Sequence, residues 1–352
     1  MSSREAPAPA AGPAARLAVR LSPADVGRRV TVRHRLQDGV LTDVVGTLVA
    51  WDGGWDGRLE VERRDGSLVP VAAAAVVAAK VVPPELSAEA MQVVAQAGWP
   101  PDETAELGGW TLRASGGVTG RTDSVRVAGR PGVPLAEALQ RVERWYADRG
   151  LPPLVQVPVP SAYDAGLAAQ GWEVVRSTVL LTAATTDVRR RATAGTGLEV
   201  VRSTVPSPEW LALVEPDVDP HELTRILVRP SQVVFVSARD RATGTLLGTG
   251  RASATGSAAG RWAGVTSLLT APPARRRGVA RAVMAELAAW AEENRCPRTY
   301  LQVLEANEAA HGLYDALGFQ VHHAYEYRAP EPVAVQVAVP VSATVSGTAA
   351  PP

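Results

Sequence analysis

The feature that most constrains the fold is a pattern of secondary structure that occurs twice. In the first copy, a long predicted helix precedes Val155-Gln156-Val157, a short helix and Gly171-Trp172. In the second copy, a long predicted helix precedes Leu301-Gln302-Val303, a short helix and Gly318-Phe319. The matching spacings and marker residues indicate a duplication. Because alternating helices and strands pack as layers, the chain is predicted to contain two related α/β blocks.

The repeat and the composition divide most of the chain into segments. The two α/β blocks are predicted at residues 84–184 and 198–329. Residues 185–197 between them are rich in Ala, Thr, Gly and Arg, and are predicted to be a linker. The Pro- and Ala-rich stretches 1–15 and 330–352 show no clear helical periodicity, so both are predicted to be disordered tails.

Residues 16–83 have a different, all-β pattern. Arg29–Arg35 alternates apolar and polar side chains, and Asp-Gly pairs such as Asp38-Gly39 and Asp65-Gly66 separate further short strands. Several closely spaced short strands predict a small β-barrel, which in length and rhythm is similar to SH3-like barrels. The barrel is interpreted as a structural cap on the next block or as a docking module, and the cap is favoured.

Composition excludes several classes of protein. The 36 basic and 36 acidic residues balance, whereas proteins held to nucleic acid by phosphate contacts are usually basic. Cys296 is the only cysteine, which excludes an internal disulfide and a cysteine-based zinc site and suits a reducing compartment. No apolar run reaches the ~20 residues of a membrane helix, and no signal-peptide pattern begins the chain. We therefore expect a cytoplasmic protein without a metal, a nucleic-acid partner or a membrane partner.

The most informative motif joins the predicted strand Trp262–Leu269 to the predicted helix Gly278–Asn294. The turn contains Arg275-Arg276-Arg277-Gly278-Val279-Ala280-Arg281. A helix N-terminus has unpaired N–H groups and favours anions. The small residues Gly278 and Ala280 allow a diphosphate to approach the backbone, and the arginines add positive charge. The turn is therefore a candidate diphosphate site, although it matches neither the dinucleotide-binding fingerprint nor the P-loop.

A second motif follows downstream: Asn307-x-x-Ala310-x-x-x-Tyr314-x-x-x-Gly318-Phe319. Together with Arg275-x-x-Gly278-x-Ala280, it resembles the GNAT superfamily of acetyltransferases. The resemblance implies an α/β (α+β) fold with a mixed central sheet, acetyl-CoA as cosubstrate and a primary amine as acceptor. Residues 84–184 resemble the degenerate first half of tandem GNAT proteins, and the N-terminal barrel is similar to that of actinobacterial members.

The resemblance also implies roles for individual residues. Tyr314 would protonate the leaving thiolate as general acid, although packing on its helix is the alternative. Asn307 would contact the coenzyme arm, cap the helix, or do both. The remaining coenzyme-binding residues would bind the pantetheine arm or the diphosphate through the strand end and the turn: Leu268, Leu269, Thr270, Arg275, Arg276, Arg277, Gly278, Val279, Ala280 and Arg281.

The sequence departs from the family pattern where many members carry a basic carboxylate. The strand reads Val265-Thr266-Ser267-Leu268-Leu269 and has no acid. Glu305 is a candidate general base, with a solvated surface position or proton loss to water as alternatives. Asp219, His221, His322 and His323 are interpreted as structural. The missing acid keeps a second hypothesis open, namely a non-catalytic acyl-CoA sensor or adaptor.

Aligning the two copies gives a prediction about the first block. Leu167 takes the place of Tyr314, and Pro160 takes the place of Asn307. The loop Gly129–Pro134 replaces the arginine-rich turn and offers fewer amide groups to a phosphate. The first block is therefore predicted to be catalytically silent, while the acceptor and the oligomeric state remain open.

Overall fold

The computed structural model describes residues 19–52, 57–63, 66–82, 86–193, 195–257 and 260–330. The chain divides into two compact units, residues 1–85 and 86–352. The tails predicted at 1–15 and 330–352 lie outside the described residues, except for Pro330, which ends the last strand.

The N-terminal unit is a six-stranded sheet in the order β1-β6-β2-β3-β4-β5. Its neighbouring strands are antiparallel, except that β1 and β6 are parallel. Alternate residues such as Val30, Val32, Leu59 and Val61 are fully buried, as expected when one face of a strand covers a core. The predicted small β domain is confirmed. Its strands are β1 Val19–Arg20, β2 Arg29–Arg35, β3 Leu41–Asp52, β4 Arg58–Glu62, β5 Leu68–Ala72 and β6 Val76–Val81.

The C-terminal unit contains a mixed eleven-stranded sheet with helices packed on it. Its strands are β7 Glu103–Leu107, β8 Trp110–Ala114, β9 Val125–Arg126, β10 Val155–Val159, β11 Trp172–Ala184, β12 Leu198–Ser203, β13 Val233–Asp240, β14 Leu246–Ser257, β15 Gly260–Thr270, β16 Arg298–Leu304 and β17 Gln320–Pro330. Its helices are α1 Ala88–Gly98, α2 Leu135–Ala147, α3 Asp164–Ala169, α4 Thr185–Arg191, α5 Pro208–Val214, α6 Pro220–Leu227, α7 Val279–Glu293 and α8 Glu308–Leu317.

The two α/β blocks, here called the first half (residues 86–184) and the second half (residues 198–330), exchange their last strands. The sheet order is β12-β13-β14-β15-β16-β11-β17-β10-β9-β8-β7. Strand β11 of the first half pairs with β16 of the second, and β17 of the second half pairs with β10 of the first. Neither half therefore completes its own sheet, and the halves fold as one unit.

The segment predicted to be a linker differs from that prediction. Residues 185–191 form helix α4, in which Val188 is fully buried against the main core. The Thr185 hydroxyl donates to the Cys296 carbonyl at 2.7 Å. The sequence does not predict this helix, because Val188 is its only apolar residue among Thr, Asp and Arg, and a single apolar residue gives no helical periodicity.

Candidate active site

The candidate site begins where two parallel strands of the second half separate. The ladder between β15 and β16 runs from the Trp262–Arg298 pair to the Val265–Leu301 pair, although both strands continue beyond it. Ser267 has a φ of 53°, and the pairing of β15 with β14 shifts register between Thr249 and Arg251. Such a bulge bends a strand. The bend opens a wedge along the edge of β15 that carries Leu268.

The wedge is part of a cleft that encloses about 750 Å³ of space continuous with solvent. The second half contributes the wedge itself and Tyr314, while the first half and β17 contribute most of the remaining wall. The lining residues are Trp99, Thr119, Gly120, Arg121, Arg176, Thr178, Val265, Thr266, Ser267, Leu268, Leu301, Gln302, Val303, Leu304, Asn307, Tyr314, Tyr325 and Tyr327.

Tyr314 lies on α8 and is 4% exposed. Its ring packs edge-on against Phe319, with ring centres 5.7 Å apart. The helix is fixed at both ends, because the Asn307 side chain accepts from the Ala310 N–H at 3.1 Å and Gly318 ends the helix at a φ of 89°. The structure therefore brings Tyr314, Asn307 and Leu268 into one cleft, and Asn307 caps the helix while also lining that cleft.

The arginine-rich turn follows directly from the end of β15. Gly278, at a φ of 79°, is the N-cap of α7, and among the described residues no side-chain cap is made to that helix. A Cβ added at Gly278 would lie 3.4 Å from the Cα of Gly195, so the backbone is closely approached here. The first turn of α7 contains no acidic residue. This end of the helix is suited to an anion.

The arginines of this turn lie at or near the surface. Arg275, Arg276 and Arg277 are exposed. Arg277 pairs with Asp240 at 3.2 Å, and Arg281 donates to the Arg191 carbonyl at 3.2 Å. Ala280 and Leu269 are half-buried, and Val279 is buried in the core beneath the turn. The positive charge of Arg275–Arg277 therefore faces solvent, and these three arginines are not among the residues that line the cleft.

Glu305 lies between two residues of the cleft lining, Leu304 and Asn307. Its side chain is exposed, and it is not among the lining residues. Its backbone N–H donates to the Ser177 carbonyl at 3.1 Å. The part of the cleft wall that the structure describes contains no Asp or Glu.

The other polar residues singled out by the sequence have structural positions. Asp219 caps α6 by accepting from the N–H groups of His221 and Glu222. His322 and His323 are buried, and their Nδ1 atoms are 2.8 Å apart. Within the described ranges, there is no group of three His, Cys, Asp or Glu residues that could hold a metal ion.

The loop at residues 115–124 contributes Thr119, Gly120 and Arg121 to the cleft, and none of these residues was expected there from the sequence. Asp123, 7% exposed, holds the loop by accepting from the N–H groups of Ser115, Gly117 and Thr119 at 2.7, 3.0 and 3.3 Å. An Asp that follows several Gly and Thr residues is a local signal of such a loop. The sequence does not reveal that the loop reaches the other half.

Cationic and aromatic side chains surround the end of the cleft built by the first half. The Cζ atoms of Arg121 and Arg176 lie 5.2 Å and 4.6 Å from the ring centres of Trp99 and Tyr327. Burial raises the pKa of Tyr325, and the charges of both arginines act in the opposite direction. This end of the cleft is therefore positive, in contrast to the wedge between β15 and β16, whose lining residues carry no charge.

The family model described as "Probable histone acetyltransferase Rv0428c C-terminal" matches residues 88–328, and "Rv0428c N-terminal Sm-like domain" matches residues 24–80. The first match spans both halves, in agreement with their shared sheet. No described helix has the length and apolar composition needed to cross a membrane.

Individual proteins are also similar to this chain. The "Uncharacterized N-acetyltransferase YobR" of Bacillus subtilis (strain 168) is 28% identical over 243 residues, which cover 67% of this chain and 95% of that protein. A GCN5-related N-acetyltransferase from Kribbella flavida has a TM-score of 0.55 at 16% identity and covers 70% of this chain and 97% of that chain. A functionally unknown conserved protein from Staphylococcus epidermidis ATCC 12228 has a TM-score of 0.51 at 9% identity. The match covers 67% of this chain and 96% of that chain.

Proposed function

This chain belongs to the GNAT N-acetyltransferases, in the family of the probable histone acetyltransferase Rv0428c, and we propose that it transfers the acetyl group of acetyl-CoA to a primary amine. The proposal is carried by one observation: the open edge of β15 and the side chain of Tyr314 line the same cleft. In this proposal acetyl-CoA lies along the edge of β15, with its diphosphate at the Gly278 turn and its thioester beside Tyr314.

Acetyl-CoA supplies the activated acetyl group, and the chain supplies binding groups and a proton. The turn around Gly278 and Ala280 holds the diphosphate through N–H groups of α7. The backbone of Leu268, Leu269 and Thr270, beyond the end of the ladder with β16, pairs with the pantetheine amides. An N–H group near Leu268 stabilises the oxyanion that forms on the thioester carbonyl.

The chemical step is a direct displacement. The amine nitrogen attacks the thioester carbon, the carbon–sulfur bond breaks, and the Tyr314 hydroxyl gives its proton to the departing sulfur. The amine loses its proton to water, because the described wall of the cleft contains no carboxylate and Glu305 lies outside it.

Calorimetry with acetyl-CoA, followed by thiol release with a panel of amines, tests this function. We expect saturable binding and amine-dependent release. If the protein shows no saturable binding of acetyl-CoA, the proposal fails.

A second candidate is a non-catalytic acyl-CoA sensor on the same scaffold. The absence of Asp and Glu from the described cleft wall favours it. Saturable coenzyme binding without turnover across the whole panel would establish this alternative and exclude catalysis.

A further inference from the structure

The end of the cleft built by the first half holds charge that the proposed acetyl-CoA site does not use. Arg121 and Arg176 line it, and each guanidinium lies over an aromatic ring. Among the described residues, neither arginine makes an ion pair, and the Nε atom of Arg176 is buried without a hydrogen-bond partner. A buried cationic donor of this kind is costly unless an anion or another acceptor reaches it.

A third cation lies behind them. Arg251 is fully buried, and its Cζ atom lies 5.0 Å from the centre of the Trp99 ring that Arg121 also contacts. Burial lowers the pKa of Arg251 to about 9, so it remains charged at neutral pH. It donates to the Leu227 carbonyl at 2.9 Å and to the Gly98 carbonyl. These acceptors are neutral and do not cancel its charge.

Two acceptor atoms lie in the wedge itself. Ser267 Oγ and Gln302 Oε1 are buried, and neither has a hydrogen-bond partner within the described ranges. Both residues line the same cleft as Tyr314. An amine N–H directed at either oxygen would satisfy it. The wedge therefore offers acceptors to an amine, while the first-half end offers donors to an anion.

Building on the proposed function, we infer that the acceptor is a small molecule that carries a carboxylate as well as the amine. The carboxylate binds Arg121 and Arg176, because a guanidinium fork matches a carboxylate in charge and geometry. The amine lies in the wedge, near the Gln302 side chain. Polyamines, aminoglycosides and lysine-rich peptides are disfavoured, because they bring further positive charge to three arginines and meet no Asp or Glu in the described cleft wall.

Matched acceptors test the inference on the full-length protein. Thiol release from acetyl-CoA is measured with each common L-amino acid beside its α-amide, and with spermidine and a lysine-rich peptide. We expect kcat/KM to be at least about tenfold higher for the acids, because hydrogen bonds to charged groups are stronger than neutral ones. Equal use of acids and amides, or preference for the polycations, would overturn the inference.

A binding measurement covers the case in which acetyl-CoA binds but no amine turns over. The N-acetyl amino acids and their amides are then titrated into protein saturated with coenzyme A. Tighter binding of the acids supports the inference, and equal or absent binding overturns it. Failure to bind acetyl-CoA at all is a different result, which removes the proposed function itself.

Two variants examine the arginines directly. Arg121→Gln and Arg176→Gln should each raise KM for an acid acceptor by about 10- to 100-fold, with little change in kcat or in KM for its amide. The dissociation constant of acetyl-CoA should not change. Arg141→Gln is the matched control, because Arg141 is a surface residue of α2 that pairs with Glu137. An equal loss for acids and amides would contradict anion recognition.

The carboxylate could instead belong to the acyl group. Wild type and both variants are therefore compared with succinyl-CoA and acetyl-CoA and one fixed amine. We expect no preference for succinyl-CoA. A preference that Arg121→Gln and Arg176→Gln remove would assign the anion to the acyl donor and overturn its assignment to the acceptor.

Discussion

The two halves of the C-terminal unit differ in the surroundings of a glutamine that each carries at the matching place. In the first half, Gln156 on β10 accepts from Arg113 at 2.6 Å and donates to Gln92 at 2.8 Å. In the second half, Gln302 on β16 takes the matching place, lines the cleft, and has a buried Oε1 with no partner among the residues described. The same residue therefore belongs to a closed network in one copy and to an open cleft in the other.

The network of the first half extends into the second. Gln92 donates to His323 Nε2 at 2.8 Å, and the Nδ1 atoms of His323 and His322 are also 2.8 Å apart. Because an amide NH₂ can only donate, His323 Nε2 accepts and its Nδ1 carries the proton in the neutral ring. Buried polar chains of this kind fix a unique arrangement. This chain of hydrogen bonds therefore joins β10 of the first half to β17 of the second, the strand with which β10 pairs.

The helices of the two halves also differ, because apolar residues or proline in the first half take the place of groups that the proposed site uses in the second. Leu167 of the first half is fully buried in an apolar cluster, whereas its counterpart Tyr314 brings a hydroxyl to a cleft. Pro134, which has no N–H, precedes α2, whereas Gly278 caps α7. The two copies therefore share a framework but differ in the groups at these two positions.

The largest expected difference between the copies is in coenzyme binding. Gly278 and Gly132 precede the corresponding helices, and both have a φ of 79°. Gly278→Glu and Gly132→Glu therefore impose similar backbone strain, but only the first places a carboxylate where the diphosphate binds. We expect calorimetry to show no saturable acetyl-CoA binding for Gly278→Glu and an unchanged dissociation constant for Gly132→Glu. Equal effects would mean that the turn is not the diphosphate site.

The second-largest expected difference between the copies is in the turnover number, kcat. Tyr314→Phe keeps the ring packed on Phe319 and removes only the hydroxyl. We expect kcat and kcat/KM to fall together by roughly 10²–10⁴-fold, with acetyl-CoA affinity nearly unchanged. Thiol-release kinetics and calorimetry measure the two quantities. Unchanged turnover would reduce Tyr314 to a packing residue, and weaker binding with normal kcat would make it a binding residue.

The control for this variant lies at the matching place of the first half. Leu167→Met conserves volume in a fully buried position and should cost little stability. Acetyl transfer should stay near the wild-type rate, because the first half is predicted to be silent. A large loss of kcat in a folded Leu167→Met protein would contradict that prediction.

Much of the local structure could be predicted, because strong periodicity reports which face of an element is buried. The strand predicted at Arg29–Arg35 matches β2, and the helix predicted at Gly278–Asn294 differs from α7 by one residue at each end. Strands β11 and β17 are the ones that the two halves exchange. Their exchange was not predictable, because alternation identifies a buried strand but not its partner.

The candidate site also has a part that the sequence predicts and a part that it does not. Tyr314 and Gly278 belong to local motifs, and the sequence identifies both. Arg121 and Arg176 lie in segments whose local pattern gives no reason to single them out, and only the shared sheet brings them to the cleft. Residues from different parts of a chain that meet through tertiary structure leave no spacing signature, so this part of the site required the structure.

Stability should separate the two glutamines. Gln156→Leu removes the acceptor of a buried Arg113 hydrogen bond, so we expect a loss of about 2–4 kcal/mol in the free energy of unfolding. Gln302→Leu removes an oxygen that has no partner, so we expect a change within about 1 kcal/mol. Urea unfolding measures both. Equal destabilisation would show that Gln302 is as structurally engaged as Gln156.

The smallest effect is expected at Glu305, the only acid that the sequence offers as a base. A general base must come within about 2.6–3.2 Å of the proton it removes, or act through one water. Glu305 is exposed and outside the cleft lining, and its contact with Ser177 uses the backbone N–H, which Glu305→Gln retains. We therefore expect kcat/KM to change by less than about threefold at neutral and mildly alkaline pH, whereas removal of a true base would cost roughly 10²–10⁴-fold. The loss of kcat/KM measured for Tyr314→Phe in the same assay is the reference for this comparison. A loss at Glu305 comparable to that at Tyr314, largest where the amine is still protonated, would restore Glu305 as the base, with its side chain turned into the cleft or acting through a water.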